Sequence, residues 1–288
     1  RILAARSQPS EGIASLEEYL KQPAGAADMR AMLTLVDLYR NQKQYERCEE
    51  LLAKADAMSP GDLTVAEARL RGLAAQDRYD DIPKWIEEHR KDYANEADLM
   101  IVGASILTSS QRPVSLQAAL KLYQESIDRV PGTLARVGLA QTHYVLGNLQ
   151  AAIAEYQHVL DVDPNQPQAL NDLAWILAIR QKQGEAGLEL INRAVLRNGD
   201  DPHVLDTRGA ILLMLGKLDD ARKDLQKCLA LPELPLATRA SVLRHLGTIS
   251  VRQGRTAEAQ KQLAEALELD AKQRVFDDAE RASIRQMM

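Results

Sequence analysis

The sequence has few aromatic residues and almost no cysteine. Aromatic side chains make up 4% of the 288 residues, and Phe276 is the single phenylalanine. A core must therefore be built from Ala, Leu, Ile and Val, which favours close packing of helices. The two cysteines, Cys48 and Cys228, lie far apart in the chain, and such a pair fits neither a disulfide framework nor a metal site.

Long apolar runs and an excess of positive charge are also missing. No stretch approaches the roughly 18–20 apolar residues of a membrane-spanning helix, so we expect no direct membrane insertion. The net charge of −5 and the isoelectric point near 5.7 argue against a nucleic-acid-binding protein, which normally carries a basic face. The chain begins at Arg1, and we interpret it as a segment excised from a longer protein. Its compartment, cytoplasmic or periplasmic, stays open.

A repeated unit is present instead, and it is most regular at residues 133–166. Two amphipathic segments are separated by a break at residues 146–148, and the second segment ends at residues 163–165. Prolines recur at a similar interval, as at Pro131 and Pro164, and the apolar residues between them have helical spacing. Helices stop before each proline, because the preceding residue is pushed out of the α region. The pattern predicts an all-α protein.

The second helix of each unit carries a small, a bulky and a small residue, four and three positions apart. These spacings return to the same helix face, so the three side chains should pack together against the first helix. Gly147, Gly216 and Gly254 lie at the turn, where a positive φ ends the first helix without steric strain. The triplets are Cys48, Leu52, Ala55; Ala119, Tyr123, Ser126; Ala152, Tyr156, Val159; Gly187, Ile191, Ala194; Ala221, Leu225, Cys228; and Ala259, Leu263, Ala266.

A helix–turn–helix unit of about 34 residues with these positions resembles the tetratricopeptide repeat family, and segments 171–178 and 204–216 are similar to bacterial members. The resemblance implies a right-handed α-solenoid of stacked helix-turn-helix units. A partial repeat at 1–28 comes first, with its second helix at 11–22, and residues 2–5 look like the end of an earlier helix. Residues 274–288 should form a capping helix, since Asp277 and Glu280 match a capping box. We place seven repeats at 29–62, 63–96, 97–132, 133–166, 167–201, 202–236 and 240–273.

Two repeats depart from the pattern. The repeat at 63–96 has Arg69 and His89 where apolar or small residues are expected, and we predict that it is the loosest packed. The repeat at 97–132 carries extra residues at 109–114, which we interpret as a longer inter-helix loop. Residues 231–235 lengthen the connection before the last repeat.

The resemblance also implies a binding surface, because the first helices of such repeats line a concave face. The middle of this face is apolar with two aromatics, and both ends carry arginine. Trp175 belongs either to the groove or to the core, whereas Tyr144 is expected to be exposed beside His143, which fills a core position. The clamp by which some family members hold a C-terminal carboxylate is absent. The predicted partner-binding residues are Arg40, Arg71, Met100, Gln141, Tyr144, Asn171, Trp175, Asp206 and Arg244.

The preferred function is a protein–protein interaction module that binds a peptide or helix of a partner, with an apolar centre and acidic flanks. The alternative is a structural scaffold of a larger complex, such as an envelope or secretion assembly, acting through self-association. Motifs for catalysis or phosphate binding are lacking, so we predict no enzyme, cofactor or metal. A metal site at His203, Asp206 and His245 would require these residues to meet, and solvated polar side chains are the simpler interpretation.

Overall fold

The computed structural model describes residues 9–288, and within this range every regular element is helical. The predicted all-α fold is therefore confirmed, while residues 2–5, predicted to end a helix, lie outside the described residues. The α-helices are α1 (Pro9–Lys21), α2 (Met29–Asn41), α3 (Tyr45–Met58), α4 (Leu63–Ala75), α5 (Asp81–His89), α6 (Glu96–Ser109), α7 (Pro113–Arg129), α8 (Thr133–Val145), α9 (Leu149–Val162), α10 (Pro167–Trp175), α11 (Gly184–Asn198), α12 (Pro202–Met214), α13 (Leu218–Leu229), α14 (Leu236–Arg252), α15 (Thr256–Gln273) and α16 (Asp278–Met287).

These helices form two compact units, which we describe separately. The first unit extends through Ala152 and the second begins at Ile153, so the division falls inside α9. In the first unit α2 pairs with α3, α4 with α5 and α6 with α7; in the second α10 pairs with α11, α12 with α13 and α14 with α15. The first helices of successive pairs also pack side by side. Each unit is therefore a stack of helix pairs in which neighbours contact neighbours, as in an α-solenoid.

The core of each unit is built from the predicted triplets, every residue of which is buried. Their bulky members lie in successive hydrophobic clusters rather than in one continuous core, as Leu52, Tyr123 and Ile191 illustrate. A glycine on a first helix often lies against the bulky residue. A Cβ placed on Gly138, for example, would lie 2.3 Å from Cζ of Tyr123. Close approach of small and bulky side chains therefore holds the helices together.

The turn between the two helices of a pair has one recurrent backbone conformation. One residue of each turn has a φ between 55° and 80°, in the left-handed region, and these residues recur every 34 to 38 positions. The prediction of a positive φ at three glycines is confirmed, but the other four turns use residues for which this conformation is strained. The seven residues are Lys43, Asp77, Gln111, Gly147, Lys182, Gly216 and Gly254.

The prediction of a long loop at 109–114 is wrong. Helix α6 continues to Ser109 and α7 begins at Pro113, so the turn is as short as the others. The extra residues extend α7 instead, which has 17 residues, and a proline is well tolerated in its first turn because that N–H needs no partner. Helix α14 also has 17 residues and begins at Leu236, before the predicted repeat boundary at 240.

The irregular repeat at 63–96 is held together by contacts of the residues that break its pattern. The Arg69 guanidinium donates to Glu49 at 3.0 Å and to Asp56 at 2.5 Å, and it lies 5.9 Å from the ring centroid of Trp85. His89 stacks on the same Trp85 ring at 4.4 Å. The expected loosening is therefore not found at these two positions.

Two further features concern the second unit. Helix α10 continues into a π-helical turn, Ile176–Arg180, in the repeat at 167–201, which spans 35 residues rather than 34. At the carboxyl end, α16 begins with a capping box between Asp277 and Glu280, as predicted from the sequence. Ile284 of α16 is fully buried in a cluster with Phe276. This short helix thus covers the apolar edge of the last helix pair.

Candidate interaction surface

Within each unit, the first helices leave one side uncovered, and we name this exposed side the first-helix face. In the first unit it belongs to α2, α4, α6 and α8, and in the second to α10, α12 and α14, with α16 against α14. The predicted residues of the first unit are Arg40, Arg71, Met100, Gln141 and Tyr144. Asn171, Trp175, Asp206 and Arg244 belong to the second unit.

The two arginines of the first unit are held by carboxylates of their own helices. Arg40 is 2.7 Å from Asp37, and Arg71 is 2.6 Å from Glu67. Pairs three or four residues apart on a helix contribute only a few tenths of a kcal/mol, roughly 0.2–0.5. A partner's carboxylate could therefore displace either one. The Arg40 side chain is more enclosed, at 17% exposure against 56% for Arg71.

Met100 is a correction to the predicted surface, because its side chain is 1% exposed and lies in the core. Ala104 and Leu107, which share its helix face, are likewise buried. The exposed side of α6 lies one position further along, where Ser105 is exposed and Thr108 is half-buried. Helix α6 is apolar almost all round since other helices flank it, so its periodicity does not distinguish the two faces.

A cluster of hydroxyl groups on α6 and α8 was missed from the sequence. Thr108 Oγ1 lies 2.8 Å from Oγ1 of Thr142, and the buried Tyr123 hydroxyl reaches Ser105 and Thr108. Burial raises the pKa of Tyr123, so this hydroxyl remains protonated. Gln141 and Tyr144 are half-buried on the adjoining part of α8. Small hydroxyl residues inside a helix carry no periodic signal, which is why the sequence did not reveal them.

In the second unit, Asn171 and Trp175 lie one helical turn apart on α10, and both are half-buried. Asn171 Nδ2 donates to Asp172 at 3.0 Å, and the same carboxylate accepts the Tyr156 hydroxyl at 2.9 Å. This network fixes the orientation of the amide. The partial exposure of Trp175 makes it available to a ligand without removing it from the helix packing.

Asp206 and Arg244 both contact His245. The Nδ1 atom of His245 is 2.9 Å from Asp206, and its Nε2 atom is 2.9 Å from Arg244 Nη2. His203 is exposed and does not join them. Among residues 9–288 no three His, Cys, Asp or Glu side chains are grouped to hold a metal ion. The structure therefore brings together two of the three residues considered for a metal.

Three predicted residues each have a buried polar atom for which the described part of the chain offers no hydrogen-bond partner. These atoms are Nη1 of Arg40, Oδ1 of Asn171 and Nε of Arg244. Buried polar atoms are normally satisfied in folded proteins, so each of these three calls for an explanation. Two donors and one acceptor on first helices are thus buried without a hydrogen-bond partner among the described residues.

The cysteines offer no reactive thiol, since both are buried. Burial raises the pKa of Cys48, and burial together with the nearby Asp206 carboxylate raises the pKa of Cys228 to about 12. A thiol of this kind is protonated at neutral pH and is a poor nucleophile. Within residues 9–288 we also find no helix with the length and apolarity to cross a membrane.

Known proteins share both sequence and fold with the chain. Residues 115–167 and 137–202 match the family model described as tetratricopeptide repeat. A TPR repeat-containing protein of Pseudomonas aeruginosa is 29% identical over 157 residues, which cover 53% of this chain and 26% of that protein. The chain thus matches about a quarter of the length of this curated relative.

Two solved structures have the same fold over nearly the whole chain. A tetratricopeptide repeat protein from Parabacteroides merdae superposes with a TM-score of 0.60 at 15% identity, over 90% of this chain and 98% of that one. A chain of the APC/C hetero-tetramer Cut9–Hcn1 superposes with a TM-score of 0.64 at 14% identity, over 99% of this chain and 54% of that one. At these identities the likeness is one of fold alone.

Proposed function

Because the chain is a tetratricopeptide repeat protein, we propose that it binds a peptide or helix of a partner protein on its first-helix faces. The fold in general serves as a protein–protein interaction module. The proposal adds the surface, the residues and the chemistry of the partner. The partner segment would have an apolar centre and acidic residues beside it.

The observation that carries this proposal is the set of three buried polar atoms without partners. After a small side-chain rotation, one carboxylate of the partner would accept a hydrogen bond from Arg40 in the first unit, and a separate carboxylate would accept one from Arg244 in the second unit. A backbone N–H would donate to Oδ1 of Asn171. An unsatisfied buried group costs about 1–3 kcal/mol, and a partner that satisfies it recovers that free energy on binding.

Trp175 supplies the apolar anchor of the proposed surface. It follows Asn171 by four residues on α10, so the two side chains point to the same side of the helix. Tryptophan and arginine are the residue types that most often dominate binding energy, at about 2 kcal/mol or more for a strong contact. An amide beside an aromatic ring would fix the position of a peptide backbone along α10.

Affinity capture with matched variants tests the proposal. Wild-type protein and a variant with Asn171→Ala and Trp175→Ala would be immobilised, and retained proteins compared by mass spectrometry. The control is His158→Ala, which changes an exposed side chain of α9 in the same unit. We expect a protein retained by the wild type and the control but lost from the double variant, with equal helix content by circular dichroism. Retention by all three would contradict the assignment.

Self-association is a second candidate function, favoured by two exposed apolar side chains of the second unit. Val162 is 75% exposed and Leu196 is 87% exposed, and they occupy equivalent positions on α9 and α11. A contiguous apolar patch often marks a contact surface. Light scattering over a concentration series would show a rising mass for the wild type and a constant mass for Leu196→Glu. A constant mass for both would rule out this candidate.

A further inference from the structure

His245 links two residues of the proposed surface in the second unit. It lies on α14, and its side chain is 6% exposed. One ring nitrogen, Nδ1, is 2.9 Å from Oδ1 of Asp206 on α12. The other, Nε2, is 2.9 Å from Nη2 of Arg244 on its own helix. The ring is therefore enclosed between a carboxylate and a guanidinium.

These contacts determine where the ring carries its proton. A guanidinium only donates hydrogen bonds, so Nε2 of His245 must accept one from Arg244. The proton of the neutral ring then lies on Nδ1, which donates to Asp206. The second oxygen of Asp206 accepts the hydroxyl of Ser241 at 2.7 Å. Both ring nitrogens of His245 and both oxygens of Asp206 are thus engaged.

The groups around the ring differ in how they would respond to an added proton. Asp206 would stabilise an imidazolium, whereas Arg244 would face a second donor of like charge. The Cys228 thiol near Asp206 stays neutral, because burial raises its pKa to about 12. Helix α16 contributes Glu280, whose carboxylate is 3.8 Å from Nη2 of Arg244.

Arg244 has other contacts available when it leaves the ring. Its side chain is 23% exposed, and the guanidinium lies 5.7 Å from the ring centroid of Phe276. Its Nε has no partner among residues 9–288. A modest rotation would bring the guanidinium closer to Glu280 or to a carboxylate bound on the first-helix face.

We propose that protonation of His245 releases Arg244 towards the first-helix face, so that a partner's carboxylate binds more tightly at mildly acidic pH. This inference rests on the proposed function, since Arg244 is one of its contact residues. Histidine is the side chain type whose charge can change between roughly pH 5 and 8. Asp206 holds the protonated ring in place while Arg244 moves.

The release step can be tested on the chain alone. Nuclear magnetic resonance would follow the His245 imidazole and the Arg244 Nε–H signal between roughly pH 8 and pH 5. We expect the two signals to change their chemical shifts at the same midpoint pH. In His245→Gln, the chemical shift of the Arg244 signal should no longer depend on pH. The control is His203→Gln, an exposed histidine on α12 of the same unit, which should leave the Arg244 shift unchanged. An Arg244 signal that stays constant while His245 titrates would overturn the proposal.

Binding of a hexaglutamate peptide tests the consequence. We expect its affinity for the wild type and for His203→Gln to rise about threefold between about pH 7.5 and pH 5.5, the size of one exposed ion pair. His245→Gln and Arg244→Gln should both lack this rise, and an unchanged rise in either would overturn the link to binding. The two failures are separable. If Arg244→Gln leaves partner capture intact, the proposed function fails at this residue. The release of Arg244 is tested independently, by the nuclear magnetic resonance titration of the chain alone.

Discussion

The contact between Gly138 on α8 and Tyr123 on α7 provides a measure of how tightly the helices of the first unit pack. A Cβ at Gly138 would lie 2.3 Å from Cζ of Tyr123 and 2.5 Å from its hydroxyl oxygen. Such distances require movement, and the Tyr123 ring is only 3% exposed, so the packing around it leaves little room for one. We therefore expect Gly138→Ala to introduce overpacking, which costs about 1–3 kcal/mol.

Alanine also has a higher helix propensity than glycine, by about 1 kcal/mol, and this gain must be separated from the clash. Gly72 in the interior of α4 provides the matched control, because a Cβ there would meet no atom within 4 Å. Gly72→Ala should therefore raise the free energy of unfolding by up to about 1 kcal/mol. Both variants gain the same helix propensity. The difference between their free energies of unfolding therefore measures the overpacking alone, which we expect to be about 1–3 kcal/mol.

Urea denaturation followed by circular dichroism would measure both variants, and amide exchange in α7 and α8 would locate the effect. Introducing Tyr123→Leu removes the ring, and in that background Gly138→Ala should become stabilising. Equal stability of Gly138→Ala and Gly72→Ala in the wild-type background would refute the idea that α7 and α8 approach this closely.

Three further predictions concern the turns, the thiols and the carboxyl-terminal helix. Lys182→Gly should raise the free energy of unfolding by up to about 1 kcal/mol by relieving a left-handed backbone, and a loss of stability in urea denaturation would contradict this. Cys48 and Cys228 should react with a thiol reagent only after unfolding, so rapid labelling of the native protein would disprove their burial. The hydrogen bond from Arg281 lowers the pKa of Asp270, so its stabilising effect is complete above the ordinary carboxyl range near pH 4 and disappears as the pH falls through the lowered value. Amide exchange in α16 should accelerate in that acidic range, and Asp270→Asn should abolish the acceleration.

The repeat core was predictable from the sequence because small and bulky residues alternate at fixed helical spacing. Residues such as Leu52 and Leu225 occupy the predicted positions, since a bulky side chain between two small ones fits a single packing geometry. The turns were predictable only where glycine occupies them. Lys43 and Gln111 adopt the same left-handed conformation, but the helices on either side impose it and the residue type does not signal it.

The candidate surface was predictable in part. Arg71 is exposed, as expected for a surface residue, whereas Trp175, which the sequence left between groove and core, is half-buried. Met100 was misplaced because α6 is apolar on nearly every side, and a shift of one position, about 100° around the helix axis, leads from its exposed side to its buried side. The pairing of Asp206 with His245 joins residues 39 positions apart, and only the stacking of α14 on α12 brings them within 2.9 Å.

The π-helical turn at Ile176–Arg180 bears on how such an array tolerates changes in length. Inserting one residue into a regular α-helix rotates every following side chain by about 100° about the axis. The wider turn accommodates the additional residue within five positions. Gly187 of α11 still packs closely against Ala174 and Ala178, since a Cβ placed on Gly187 would lie 2.6 Å from the Ala178 methyl. Gene duplication can thus produce copies of unequal length that remain stackable. Deleting one residue from this turn should restore a 34-residue repeat while leaving the following pair, α12 and α13, docked as before.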